Sequence, residues 1–164
     1  RIRAALDVAR AVEYLHSRDF LHRDIKPGNC FLLVLPLVDG VATSFPPVKL
    51  GDLGFARQAV AQPGETFTRG MGTIRYMAPE VLMSGVYGTP ADIFSCGILL
   101  NELQTGEVPY SGPRRNDAVL GAAICTQNHR PSFSHLVNSS QPAATDVMAL
   151  STACWSADPE LRPS

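Results

Sequence analysis

Apolar positions Ala5, Val8, Val12 and Leu15 recur at steps of three, four and three, while Arg3, Asp7, Arg10 and Glu13 fall mostly on other faces. That spacing predicts an amphipathic helix of about four turns within residues 1–20. The helix opens at residue 1 with no capping residue ahead of it, so the chain is expected to begin inside a longer helix. The stretch LHRDIKPGN, residues 21–29, cannot be a regular helix, because Pro27 and Gly28 break it. CFLLVL from residue 30 and VKLGD from residue 48 are short, apolar and β-prone, the pattern of two paired strands. Between them Asp39-Gly40 and Pro46-Pro47 mark a loop. Residues 56–75 are polar, glycine-rich and aperiodic, and read as a long surface loop. ADIFSCGILLNEL, residues 91–103, is apolar nearly all the way round and so belongs at the centre of a domain. Two further helices are expected at 116–126 and 143–155, the second with Val147, Leu150 and Cys154 at helical spacing. The pattern is that of a mainly α domain with a small β hairpin element.

Composition narrows the class. The chain has 164 residues, 45% of them apolar and 18% charged, which is the make-up of one globular domain. Fourteen basic against fifteen acidic residues leave a net charge of −1, which argues against bulk electrostatic binding of nucleic acid or anionic membrane. The longest apolar run, Cys30–Val38, is broken by Pro36 and is too short to span a bilayer, so no membrane insertion is expected. Residues 1–20 carry charges throughout and contain no signal-peptide core. Cys30, Cys96, Cys125 and Cys154 form no C-x-x-C pair and read as reduced, buried thiols of an intracellular, cytoplasmic protein. Asn138-Ser139-Ser140 spells a glycosylation acceptor but is read as a chance match.

The chemistry is concentrated early in the chain. Asp24, Lys26 and Asn29 lie within six residues of a broken loop, where alternate side chains can converge on one point. A carboxylate, an ammonium and an amide oxygen are what phosphoryl transfer requires, since positioning and charge neutralisation dominate that reaction. Asp52, flanked by Gly51 and Gly54, offers with Asn29 an oxygen pair suited to Mg²⁺. Simpler roles compete for other residues. Asp92 heads the buried helix and reads as an N-cap. His22 reads as a packing residue, and His16, His129 and His135 as surface or satisfied polar positions.

Five blocks follow one another in order: HRDIKPGN, DLG, GTIRYMAPE, DIFSCG and CWSADPELRPS. Together they resemble the C-terminal lobe of a eukaryotic protein kinase of the Ser/Thr type, over nearly the whole chain. The resemblance implies the C-lobe of the α+β protein-kinase-like fold over residues 1–164. It sets a catalytic loop at 22–29, an activation segment at 52–80 and the central buried helix at about 91–103. It implies Mg²⁺-dependent transfer of the ATP γ-phosphate to a protein Ser or Thr hydroxyl. Asp24 would be the catalytic base or orienting acceptor. Lys26 would steady the γ-phosphate, and Thr73 would link base and lysine. Asn29 and Asp52 would hold Mg²⁺, and Phe31 would floor the adenine site. Arg23 and Arg57 would receive a phosphate on Thr68 or, second, Thr66. His22 and Asp92 would be structural, with Asp92 anchoring the catalytic-loop backbone, and Glu80 would pair with Arg162. The alternative is a catalytically silent pseudokinase, or a truncated scaffold acting through protein contacts.

Departures from the family pattern set further expectations. The chain has only two lysines, Lys26 and Lys49, and no G-x-G-x-x-G, so the N-terminal lobe is expected to be absent from these residues. Residues 1–164 alone are therefore expected to bind ATP weakly and to be inactive. Leu53 stands where the family usually has Phe, and Phe94 where it has Trp. The 22 residues between Asn29 and Asp52 exceed the usual spacing, so LVDGVATSFPP, residues 37–47, reads as an insertion in a surface hairpin. Gly28 replaces an acidic residue common in enzymes directed to basic substrates, and Arg114-Arg115 reads as a solvated pair.

Overall fold

The computed structural model describes residues 1–33, 46–58, 74–85, 87–111, 116–133 and 142–164. Helix α1, Ile2–His16, buries Val8 and Val12 from its apolar stripe. Its 15 residues make the expected four turns or so, and beyond it Asp19 takes a left-handed φ of 59° that turns the chain back. Phe20–Leu21 then forms a strand, β1. Its partner is Arg57–Gln58, within the stretch expected to be loop, with Leu21 opposite Arg57. Short-range pattern could not reveal this two-residue pair, since its stabilisation comes from a partner distant in sequence.

The expected strands are Cys30–Leu32 (β2) and Val48–Leu50 (β3), antiparallel with Phe31 opposite Lys49. Arg57–Gln58 is β4. Helix α2, Pro79–Ser84, opens with a proline in its first turn and ends at Gly85 in a left-handed conformation. The central helix α3 runs Thr89–Thr105, slightly longer than expected at both ends. Helix α4, Asp117–Thr126, is capped by Asn116, whose side chain accepts the Val119 N–H. Helix α5 covers Pro142–Cys154.

The all-round apolar character of α3 has a simple cause: the helix lies between two cores. Phe94 and Ile98 pack with Tyr76, Tyr110, Leu120, Ile124 and Trp155. Leu99 packs with Val8 and Val12 of α1, Ile25 and Val48. Helix α5 approaches α3 at Gly97, where a Cβ would lie 2.7 Å from Cys154 Cβ and 3.1 Å from the Ser151 carbonyl oxygen. Only a residue without a side chain permits that contact.

Asp92 corrects one expectation. The N-cap of α3 is Gly88, and Asp92 sits within the first turn, fully buried, with its carboxylate turned to another segment. The thiols correct another in part: all four are free, but only Cys154 is buried and the other three are partly exposed. Burial pushes the Cys30 and Cys154 thiols up to about 11. His129 is partly buried beside the Tyr110 ring, with centroids 5.3 Å apart. Among the described residues no helix is long and apolar enough to cross a membrane. The loop expected around Asp39-Gly40, the Asn138-Ser139-Ser140 triplet, His135 and the Arg114-Arg115 pair lie outside the described residues.

Candidate active site

Strand β1 carries Leu21 into the core and delivers His22, also fully buried, to the foot of α3. Asp92 of α3 holds the segment that follows. Its Oδ2 accepts the His22 N–H at 2.8 Å, and its Oδ1 accepts the Arg23 N–H at 2.9 Å. The same Oδ2 accepts from His16 Nε2 at 2.9 Å, so the end of α1 is tied to the same carboxylate. Arg23 has a left-handed φ of 71°, a conformation that costs a non-glycine residue roughly 1–2 kcal/mol. The surrounding bonds must supply that energy.

The partners of His22 fix its ring orientation and assign its tautomer. Nδ1 accepts the Asp24 N–H at 3.3 Å, so Nε2 carries the proton and donates to the Gly51 carbonyl at 3.0 Å. The Gly51 N–H in turn donates to the Asn29 carbonyl at 2.9 Å. The segment before Asp52 is thus bonded to both ends of the 22–29 loop.

Three predicted side chains meet directly. Asp24 Oδ2 accepts from Lys26 Nζ at 2.6 Å and from Asn29 Nδ2 at 2.9 Å. Asn29 Nδ2 also donates to the Asp24 carbonyl at 2.7 Å. Pro27–Asn29 forms a 3-10 turn that brings Asn29 back over Asp24. Asp24 and Asn29 are both buried, while Lys26 is partly exposed. Among the described residues Asp24 Oδ1 accepts no hydrogen bond, and one oxygen of the carboxylate remains open to a new donor.

Asp52 does not join this cluster by a direct bond. It takes a left-handed φ of 59°, is exposed, and its Oδ1 accepts the Gly54 N–H at 3.4 Å. Its place beside the cluster comes from Gly51. A Cβ on Gly51 would fall 2.8 Å from Phe31 Cε2, so the Phe31 ring lies against the glycine backbone. That ring is 54% exposed, an aromatic face presented next to Asp52 rather than buried in a core.

The arginines differ in setting. The Arg23 guanidinium lies 5.6 Å from the centroid of the Tyr87 ring. Arg57 is exposed beyond its backbone pairing, with Nη1 bonded to the Ala56 carbonyl. Arg162 and Glu80 form a two-point ion pair, with Nη1–Oε1 at 2.6 Å and Nη2–Oε2 at 2.9 Å. Thr66, Thr68 and Thr73 lie outside the described residues. Among the described residues no three His, Cys, Asp or Glu side chains converge as a metal site.

Sequence reasoning missed two contributors. His16 was read only as a satisfied polar position, and its partner Asp92 lies 76 positions away. The Tyr87 hydroxyl donates to the Arg23 carbonyl at 3.0 Å across 64 positions. No local signal could have singled out either one.

A protein kinase domain model matches residues 2–164. The chain belongs to the eukaryotic protein kinase family. It is 34% identical over 99% of its length to the serine/threonine-protein kinase STY17 of Arabidopsis thaliana. It is 34% identical over 98% of its length to the serine/threonine-protein kinase VIK of that plant. It is 35% identical over 99% of its length to the Arabidopsis serine/threonine/tyrosine-protein kinase HT1. The chain spans 25%, 34% and 36% of those three proteins. A mainly helical body with small antiparallel strand pairs is the expected kinase C-lobe arrangement.

Proposed function

We propose that the protein carrying this chain transfers the γ-phosphate of ATP to Ser or Thr hydroxyls of a protein substrate, with residues 1–164 as the C-terminal lobe of the catalytic domain. The observation that carries this reading is the Asp24–Lys26–Asn29 cluster, hydrogen-bonded on a loop clamped to the central helix. Asp24 Oδ1 accepts the proton of the substrate hydroxyl as the oxygen attacks phosphorus. Asn29 and Lys26 occupy the other carboxylate oxygen and fix the direction of the open one. Preorganised acceptors of this kind need little rearrangement during reaction. Lys26, next to Asp24 and partly exposed, neutralises charge on the transferring group.

The donor set fits magnesium. Asn29 spends its amide nitrogen on Asp24 and keeps Oδ1 available, while Asp52 holds an exposed carboxylate one residue past the Gly51–Asn29 bond. Hard oxygen donors from few residues, completed by water, are what Mg²⁺ takes. When bound, ATP with Mg²⁺ supplies the phosphoryl group and the positive charge that offsets it. Phe31 offers an aromatic floor to the base, and the family resemblance assigns Thr73 the role of linking Asp24 and Lys26, and Arg23 and Arg57 that of receiving a phosphate on Thr68 or Thr66. The catalytic loop is assigned to residues 22–29 and the activation segment to 52–80. An intracellular, cytoplasmic setting accords with four free cysteines.

The test is Asp24→Asn in the full-length protein, assayed for phosphotransfer to a generic protein substrate. The expected result is a fall in kcat of about 10²–10⁴-fold with little change in the KM for ATP. Unchanged turnover would remove Asp24 from the mechanism. A wild-type protein inert at high ATP and Mg²⁺ would favour the scaffold alternative.

A further inference from the structure

Asp24 hangs from the peptide group joining it to Arg23, and both polar atoms of that group are held by side chains. Its N–H donates to His22 Nδ1 at 3.3 Å, and its carbonyl, that of Arg23, accepts from the Tyr87 hydroxyl at 3.0 Å. On the other side of the Arg23 Cα, the Arg23 N–H goes to Asp92 Oδ1 at 2.9 Å. Tyr87 and Asp92 belong to one continuous piece of chain, since Tyr87 stands just before Gly88, the N-cap of α3. A left-handed residue is therefore held before and after its Cα by side chains from the start of α3 and the residue just ahead of its N-cap. The grip has a mechanical consequence. Rotation about the Arg23 ψ angle would swing the Asp24 carboxylate away from Lys26 and Asn29, and the Tyr87 bond opposes that rotation. The Tyr87 ring itself packs against the core cluster around Phe94, so the hydroxyl is presented from a fixed base.

We propose that Tyr87 is a positioning residue for Asp24: through its hydroxyl it locks the Arg23–Asp24 peptide plane and thereby aims the catalytic carboxylate. This rests on the phosphotransfer reading only for its kinetic consequence, because the locking itself is a property of the backbone. Tyr87→Phe removes the hydroxyl and keeps the ring, so packing changes little. An aim degraded by a fraction of an ångström lowers turnover without weakening binding. Tyr14 serves as the control, since it is exposed on α1 and among the described residues makes no hydrogen bond to this loop.

Two measurements on the full-length protein test the proposal. Amide hydrogen exchange reads the lock directly, whether or not the protein is active. In Tyr87→Phe the Asp24 amide is expected to exchange at least about fivefold faster, while the Arg23 amide, held by Asp92, keeps its rate. Steady-state kinetics reads the aim. Tyr87→Phe is expected to lower kcat about tenfold with KM for ATP and protein substrate unchanged, whereas Tyr14→Phe leaves both parameters at wild-type values. In an Asp24→Asn background, adding Tyr87→Phe should have no further effect on residual turnover. An unchanged Asp24 exchange rate overturns the proposal, even in a protein without phosphotransfer. So does faster exchange accompanied by an unchanged kcat in an active one, which would make the bond structural only. A wild-type protein lacking phosphotransfer would sink the kinase reading alone and leave exchange to decide the lock.

Discussion

Replacing Glu80 by Gln keeps the shape of the side chain and deletes its charge, and the environment of its partner sets the consequence. The Arg162 side chain is fully buried, donating to Glu80 at 2.6 and 2.9 Å and to the carbonyls of Ser156 and Pro90 at 3.0 and 2.9 Å. Its guanidinium lies 5.1 Å from the Phe94 ring centroid, and a second guanidinium, that of Arg130, lies 4.9 Å from the same ring. Among the described residues Glu80 is the carboxylate salt-bridged to Arg162. Removing one member of a buried ion pair typically costs about 3–5 kcal/mol, because the other charge stays buried without compensation. Glu80 is itself 23% exposed, so water can partly replace it, and the lower end of about 3 kcal/mol is expected. In a domain of this size that is a fall in Tm of about 6–12 °C. Trp155 is the single tryptophan and its carbonyl accepts from Arg130 at 2.9 Å, so its fluorescence reports on this region during urea unfolding. The midpoint should fall while the m value stays constant. Arg162→Lys should lose most of the same stability, since an ammonium cannot make the two-point contact. A loss below about 1 kcal/mol for Glu80→Gln would refute the reasoning. So would a Glu80→Leu/Arg162→Leu double variant that loses the full sum of its single changes.

Two further perturbations probe the packing. Gly97→Ala is expected to destabilise by about 1–3 kcal/mol in urea melts, because its Cβ would meet Cys154 Cβ and the unyielding Ser151 backbone; a neutral result would mean that α5 can shift away from α3. Burial raises the thiols of Cys30 and Cys154 from 9.0 to about 11. Below pH 9 the thiols are largely neutral in both states, and between about 9 and 11 the unfolded chain releases protons that the folded one keeps. Folding stability should therefore fall as pH rises through that window. Iodoacetamide at pH 8.5 should alkylate these two thiols far faster in urea than in buffer, and equal rates would contradict their protection.

Much of the site was legible because its residues are close in sequence. Asp24, Lys26 and Asn29 lie within one turn-broken segment, so spacing alone brought them near, and the structure adds the direct bonds. The helices of the pattern also emerged where periodicity put them, since burying an apolar stripe is a local requirement written into residue order. Asp92 shows where such reading fails. At the head of a helix, a buried carboxylate looks like a cap. Its real partners are the amides of His22 and Arg23 and the ring of His16, none of them near it in sequence. The β1–β4 pair was missed for the same reason, two residues being too few to show alternation.

Residue order alone therefore determined which segments are helical, which loop carries the reactive groups and which family the chain joins, because each depends on neighbours a few positions apart. Tertiary structure alone decided what holds that loop in its left-handed turn, which side of it faces the central helix, and why Gly51 and Gly97 have no side chain. Those outcomes depend on contacts between segments 20 to 76 positions apart. Such contacts form only when the two cores close on either side of α3.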